Sequence, residues 1–304
     1  MRSERRNLIL LDAGNLFFLK PPKNKSERQE LTRKVDVLIR AYNAMGYDGV
    51  NIGEKDLILG YQFISKVAEK ANFPFISSNL ANKAGKPSIF TSHMIKEISG
   101  LRIGIFGLID AKMLKRDDPV IATCDPMKKT KRIVMDLKQK CDFIIALSQL
   151  GEAGDAKLAR TVPGIDLIVG GMKSKTIRYS KIEDTILVRV IPRGGYLGIL
   201  EVNIREKGHP YRFSDLGDRD ELVRKIEHIR FQSSLIEDRM DEFSSKEKKV
   251  KLRELKILKG REKQLQAKVA SYDAKNSFRN QIIPINIRIE DDPVVSQLVK
   301  EYRQ

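Results

Sequence analysis

The chain has 304 residues and a mass of 34.7 kDa, and its hydrophobic fraction of 41% is enough for a packed core and too high for wholesale disorder. No run approaches the roughly 18 apolar residues that span a bilayer, and Asp12 interrupts the opening LILLDAGNLFF before it can form the core of an export signal. Lys+Arg at 57 against Asp+Glu at 40 give a net charge of +17, a field that favours anionic partners without naming one.

In chain order, apolar runs at 7–11, 49–52, 73–77, 101–108, 142–147 and 165–169 read as strands. Amphipathic stretches at 27–45, 56–71, 126–140 and 155–162 read as helices, and the alternation is that of an α/β domain. From 175 to 206 the pieces TIRYSKI, TILVRVI and LGILEVNI predict a closing antiparallel meander, with a turn at Arg193-Gly194-Gly195. Past a polar junction at 214–219, Leu222, Ile226, Ile229, Ile236, Met240 and Phe243 repeat at three-and-four spacing. A second stripe runs through Leu255, Leu258, Leu265, Val269 and Tyr272. Ser244, with Glu247 three residues on, offers a capping box between the stripes, so the pattern predicts two antiparallel helices and not one rod. The tail holds IIPINIRI and a final helix-like DDPVVSQLVKEYRQ.

The expected organisation is an α/β domain over 1–213, a helical hairpin or coiled coil over 214–275, and a C-terminal tail or linker over 276–304. The hairpin is a candidate surface for a protein partner. The Lys-rich stretch 246–268 reads either as a face for nucleic acid or an anionic membrane, or as the solvated face of the hairpin; without interleaved aromatic residues, no specific nucleic acid is expected. Cys124 and Cys141 match no metal or haem spacing and are either buried thiols or one disulfide.

Four segments carry a family likeness: LILLDAGNLFF, YNAMGYDGVNIGEKDLILGYQF, LRIGIFGLID and FIIALSQLGEAGDAKLARTVPGIDLIVGGMKSKT. In order and spacing, across residues 6–206, they resemble the calcineurin-like metallophosphoesterase domain of bacterial 5′-nucleotidases. There the segments read approximately LLDAGDLF, NAMGYDAVTLGNHEFD, LSHLG and GGHSHT, behind a strand ending in D-x-H. The resemblance implies a two-sheet αββα sandwich, here followed by the antiparallel helical hairpin. It also implies a site in which Asp, Asn and His ligands hold two divalent metals that bind phosphoryl oxygens and activate water.

At the ligand positions the chain departs from the family. Asn15 stands where the metal-bridging Asp would be, Glu54 replaces the ligand Asn, Lys55 replaces the catalytic His, and Gln149 replaces a ligand His. Lys173 and Lys175 fall on the last two ligand positions, where an ammonium group offers no lone pair. The D-x-H strand is missing, and His93, His209 and His228 all lie off the motifs. The expectation is therefore a catalytically inactive, phosphoesterase-like protein with no metal, no cofactor and no catalytic residue, acting as a scaffold or binding a phosphate or other small anion. In one reading Lys55, Lys173 and Lys175 converge on that anion. In another they form a buried ion-pair lattice with Asp12, Glu54 and Asp56. The alternatives are an active metal-dependent phosphoesterase with rebuilt ligands, and a basic helical nucleic-acid or membrane-surface module. Because the family is usually exported and this sequence starts just before its second expected strand, a longer, extracytoplasmic gene product is expected.

Overall fold

The computed structural model describes residues 7–83, 88–110, 112, 120–172, 179–190, 194–208, 210–272, 275–286 and 288–303. The chain divides into two compact units, one of Met1–Gly198, Gly208–Pro210 and Ile282–Gln304, the other of Ile199–Lys207 and Tyr211–Gln281.

The first unit begins with β1 (Leu11–Asp12), α1 (Lys25–Met45), β2 (Gly49–Asn51), α2 (Tyr61–Ala68) and β3 (Phe75–Ile76). The Asn24 side chain accepts the Glu27 N–H at the start of α1, and Gly46 in the left-handed region ends it. The three strands form a parallel sheet in the order β1-β2-β3. Its core joins Val50, Ile52 and Phe75 to Val35 and Ile39 of α1 and Ile64 of α2. The helix predicted over 56–71 starts later: Glu54–Leu57 is a 3-10 turn, and Gly60, at φ 83°, holds a bend that a side chain would strain, so α2 begins at Tyr61.

Next come β4 (Leu80–Asn82), β5 (His93–Ile98), β6 (Leu101–Ile109), β7 (Ile121–Thr123), α3 (Pro126–Leu137), β8 (Phe143–Gln149), α4 (Gly151–Thr161), β9 (Leu167–Gly170), β10 (Ser180–Ile182) and β11 (Thr185–Arg189). The larger sheet has the order β10-β11-β9-β8-β6-β5, with β6, β8, β9 and β11 parallel; β4 and β7 pair separately. Successive β6 side chains point to opposite faces. Phe106 and Leu108 join Ile133 and Leu137 of α3 and Leu158 of α4 in a second core, while Ile109 belongs to the first. Helices and sheets thus stack as the expected two-sheet α/β architecture.

The predicted meander forms only in part. β10 and β11 are an antiparallel hairpin, but β11 has β9 on its other edge, so no edge of it is left for the following strand. That strand, β12 (Tyr196–Ile204), pairs instead within the sheet β12-β14-β13, where β13 is Ser214–Asp215 and β14 is Asn276–Pro284.

In the second unit, α5 (Leu216–Asp238) and α6 (Ser245–Ala270) pack as the predicted antiparallel hairpin, with Arg230–Glu262 and Lys259–Glu237 ion pairs across the seam. The Ser244 hydroxyl and the Glu247 carboxylate complete the capping box at the start of α6. In the first unit, α7 (Pro293–Arg303) packs on α1, where Arg40 pairs with Glu301. Cys124 is exposed, Cys141 is buried, and both are free thiols.

Candidate functional site

The site is built from the loops that follow β1, β2, β8 and β9, all at the carboxyl ends of parallel strands, where α/β folds gather their ligands. Its anchor is Asp56, fully buried in the 3-10 turn after β2. One of its carboxylate oxygens accepts the N–H groups of Asn15 (2.8 Å) and Gly53 (2.9 Å), and the other accepts that of Phe17 (3.0 Å). Those bonds fold the loop after β1 onto the loop after β2. Burial nevertheless pushes the Asp56 carboxyl up to about 6, against the pull of the three N–H groups, with Asp12 adding to the rise.

Asn15 sits at the crossing of the loops in the left-handed region, at φ 62°, which asparagine tolerates better than most residues. Its amide Nδ2 donates to Gln149 Oε1 at 2.8 Å, and its Oδ1 accepts the Lys55 N–H at 2.9 Å. Gln149, at the end of β8 and fully buried, donates in turn from Nε2 to the Ala13 carbonyl at 2.7 Å. The structure therefore joins three of the positions singled out from sequence, Asn15, Lys55 and Gln149, in one hydrogen-bonded chain.

Asp12 closes the far side. It accepts the Gly14 N–H and the Tyr42 hydroxyl, each at 2.8 Å, and burial is the main cause of its raised carboxyl. Tyr42 stacks on Tyr47 with ring centres 3.9 Å apart. Burial and the Asp12 charge lift the Tyr42 hydroxyl well above its ordinary range, and they push Tyr47 up to about 12. Asn51, buried at the end of β2, donates to the carbonyls of Ala13 and Leu108 and so bonds the first loop to β6. Among the described residues, Asp12 and Asp56 thus take their hydrogen bonds from backbone amides and a tyrosine.

Glu54 is different. Its Oε2 is buried without a hydrogen-bond partner among the described residues, and its carboxyl is raised by burial, lowered by Lys55 and raised by Asp110. Lys173 and Lys175 lie outside the described residues. At Gly171, which precedes them in the chain, a Cβ would stand 2.1 Å from Gln149 Nε2 and 2.8 Å from the Ala13 carbonyl oxygen, which leaves no room for a side chain. Of the histidines, His93 is on β5, His228 is on α5 and His209 lies outside the described residues.

Tyr42 and Asn51 were not singled out from sequence. Tyr42 reads as one more apolar position of a helix, and Asn51 as a strand residue; only the fold brings them to Asp12 and Ala13. A third buried group, Asp155 on α4 with Ser148 and Arg189, includes none of the ligand positions singled out from sequence, although Ser148 precedes Gln149 directly.

The fold is that of the calcineurin-like phosphoesterase domains of solved 5′-nucleotidases and their kin. The chain is 29% identical over 156 residues to a 5′-nucleotidase of Vibrio cholerae, a match covering 45% of this chain and 28% of that protein. It is 26% identical over 166 residues to the uncharacterized metallophosphoesterase YunD of Bacillus subtilis, covering 53% of this chain and 36% of that protein. Among solved structures, a 5′-nucleotidase precursor from Thermus thermophilus aligns with a TM-score of 0.56 at 24% identity, covering 67% of this chain and 43% of that one. The calcineurin-like phosphoesterase YfkN of Bacillus subtilis aligns at 0.54 and 20% identity, covering 68% and 74%. The matches thus take in well under two thirds of these curated relatives. No protein-family model matches the chain.

These relatives correct the expectation of no cofactor, since the proteins the chain is kin to are phosphoesterases of a metal-dependent class, one of them named a metallophosphoesterase. The described side chains do not fit the class's metal pair. Among them no three His, Cys, Asp or Glu residues gather as a ligand set. The oxygens of Asn15, Gln149, Asp12 and Asp56 already accept hydrogen bonds. Among the described residues, Glu54 Oε2 is the one acidic oxygen of the site that is buried without a hydrogen-bond partner.

Proposed function

We propose that this domain binds phosphate or a phosphate-bearing anion at the old catalytic position and does not hydrolyse it. The Asn15–Gln149 bond carries the reading: the positions that resemble a bridging carboxylate and a ligand imidazole hold two amides bonded to each other. An amide is neither a base nor an anionic ligand, so the water activation that a metal pair supplies has no support from these side chains. Lys55 adds a cation beside Glu54, and Lys173 and Lys175 follow Gly171 in the chain.

The test supplies what catalysis would need. With Mn²⁺, Zn²⁺ or Fe²⁺ added, the full chain is expected to release no phosphate from 5′-nucleotides above background. Calorimetry is expected to show phosphate or nucleotide binding that is weakened by Lys55→Ala, Lys173→Ala and Lys175→Ala. Chelator-sensitive turnover overturns the proposal. The open Glu54 oxygen favours one rival, a phosphoesterase with rebuilt ligands, whose turnover would be lost in Glu54→Gln. The proposed place of action is outside the cytoplasm, a reading supported by the Thermus structural neighbour, which is a 5′-nucleotidase precursor.

A further inference from the structure

The second unit carries a cationic face that the site does not use. Leu255, the buried residue of α6, marks the side turned inward. At about 100° per residue, the lysines of α6 that form ion pairs, Lys248, Lys251 and Lys259, point within about 40° of Leu255. Lys246, Lys249, Arg253, Lys256, Arg261 and Lys268 point about 100° to 180° away; all are exposed, and among the described residues none forms an ion pair. Between them stand two aliphatic side chains, Val250 at 58% and Ile257 at 72% exposure. The acids of the helix, Glu247, Glu254 and Glu262, lie within about 100° of Leu255, so no carboxylate sits at the centre of the outer face.

We propose that this outer face of α6 docks on an anionic lipid surface. Charge complementarity selects a polyanion, because the unpaired cations extend along most of a 26-residue helix, about 39 Å. The aliphatic pair selects lipid among polyanions: Val250 and Ile257 gain from entering the headgroup–acyl boundary, while the flanking lysine stems reach out to phosphate. A nucleic-acid backbone offers those side chains nothing, and the helix carries no aromatic ring on which a base could stack.

Co-sedimentation of the full chain with phosphatidylcholine vesicles, with and without phosphatidylserine, tests the proposal. Binding is expected only with phosphatidylserine and is expected to fall with salt. Each neutralised cation should weaken it about fivefold. Lys249→Glu/Arg253→Glu/Lys256→Glu should abolish it, and Val250→Ser/Ile257→Ser should reduce it at unchanged charge, with circular dichroism confirming retained helix. Arg33→Glu/Lys34→Glu/Lys131→Glu, which changes net charge equally on exposed residues of the other unit, should leave most of the binding intact. Three results overturn the proposal: no binding to anionic vesicles, equal loss in the control triple variant, or tighter binding to duplex DNA that the serine pair does not affect.

Discussion

Asp56 is enclosed by three N–H donors, yet burial holds its titration near 6 against an ordinary 3.8. Between about pH 4 and 6 the folded chain therefore keeps a proton that the unfolded chain releases, so raising the pH through that window removes stability, by up to about 3 kcal/mol. Asp56→Asn cannot titrate. Urea denaturation at about pH 4.5 and pH 7 is expected to show the variant gaining on the wild type as the pH rises. A gap that widens instead would mean that the N–H bonds outweigh burial. Gln149→Met keeps the volume but strands the Asn15 amide and leaves the Ala13 carbonyl with only its Asn51 donor, and is expected to cost about 1–3 kcal/mol. The sequence marked Asn15 and Gln149 as misplaced, because each stands inside a recognisable motif. It could not show that they bond each other, since 134 residues separate them and only the folded sheets bring them within reach. A separation of 30 residues likewise hid Tyr42 from Asp12.

Elements held by local rules were the legible ones. The hairpin of α5 and α6 follows from two apolar stripes and a Ser244–Glu247 capping box, and the helix stops at 238 and restarts at 245 accordingly. A strand without an apolar run was not legible: β5 reads as polar, HMIKEI, and is a strand because it lies antiparallel along β6 across the tight turn at Ser99-Gly100. β12 was expected to close an antiparallel meander with the strands before it, and its alternation is indeed that of a strand, but strand character does not say which edge is open. The stripe makes a sharp claim about α6. Leu255→Ala removes a buried side chain and is expected to cost about 2–4 kcal/mol, whereas Ile257→Ala, two positions on and on the outer face, should stay within about 0.5 kcal/mol. Similar costs at both sites, measured by chemical denaturation, would show that the outer face is covered. Ser244→Ala should remove about 1 kcal/mol by leaving the first turn of α6 uncapped.

At the scale of the whole molecule the net charge of +17 decides how salt acts. Exposed ion pairs such as Lys70–Asp36 and Lys225–Glu221 contribute little each, and screening removes only that little. The buried Arg189–Asp155 pair is shielded from salt by its surroundings. What screening does change is the mutual repulsion of the excess cations, which opposes compactness. Shortening the Debye length from about 30 Å at 0.01 M to about 8 Å at 0.15 M NaCl should therefore raise the melting temperature by several degrees. A fall would mean that the folded state is held by exposed pairs after all. Phosphate at the same ionic strength separates the general field from a site. A ligand bound only by the folded chain adds stability as RT ln(1 + [L]/Kd), about 2.7 kcal/mol at a hundredfold excess over Kd. If the loops around Asn15 and Gln149 hold an anion, phosphate should stabilise beyond matched NaCl, and Lys55→Ala should erase the difference while leaving the response to NaCl in place. Equal stabilisation by the two salts would reduce the interaction to screening of the chain's overall charge.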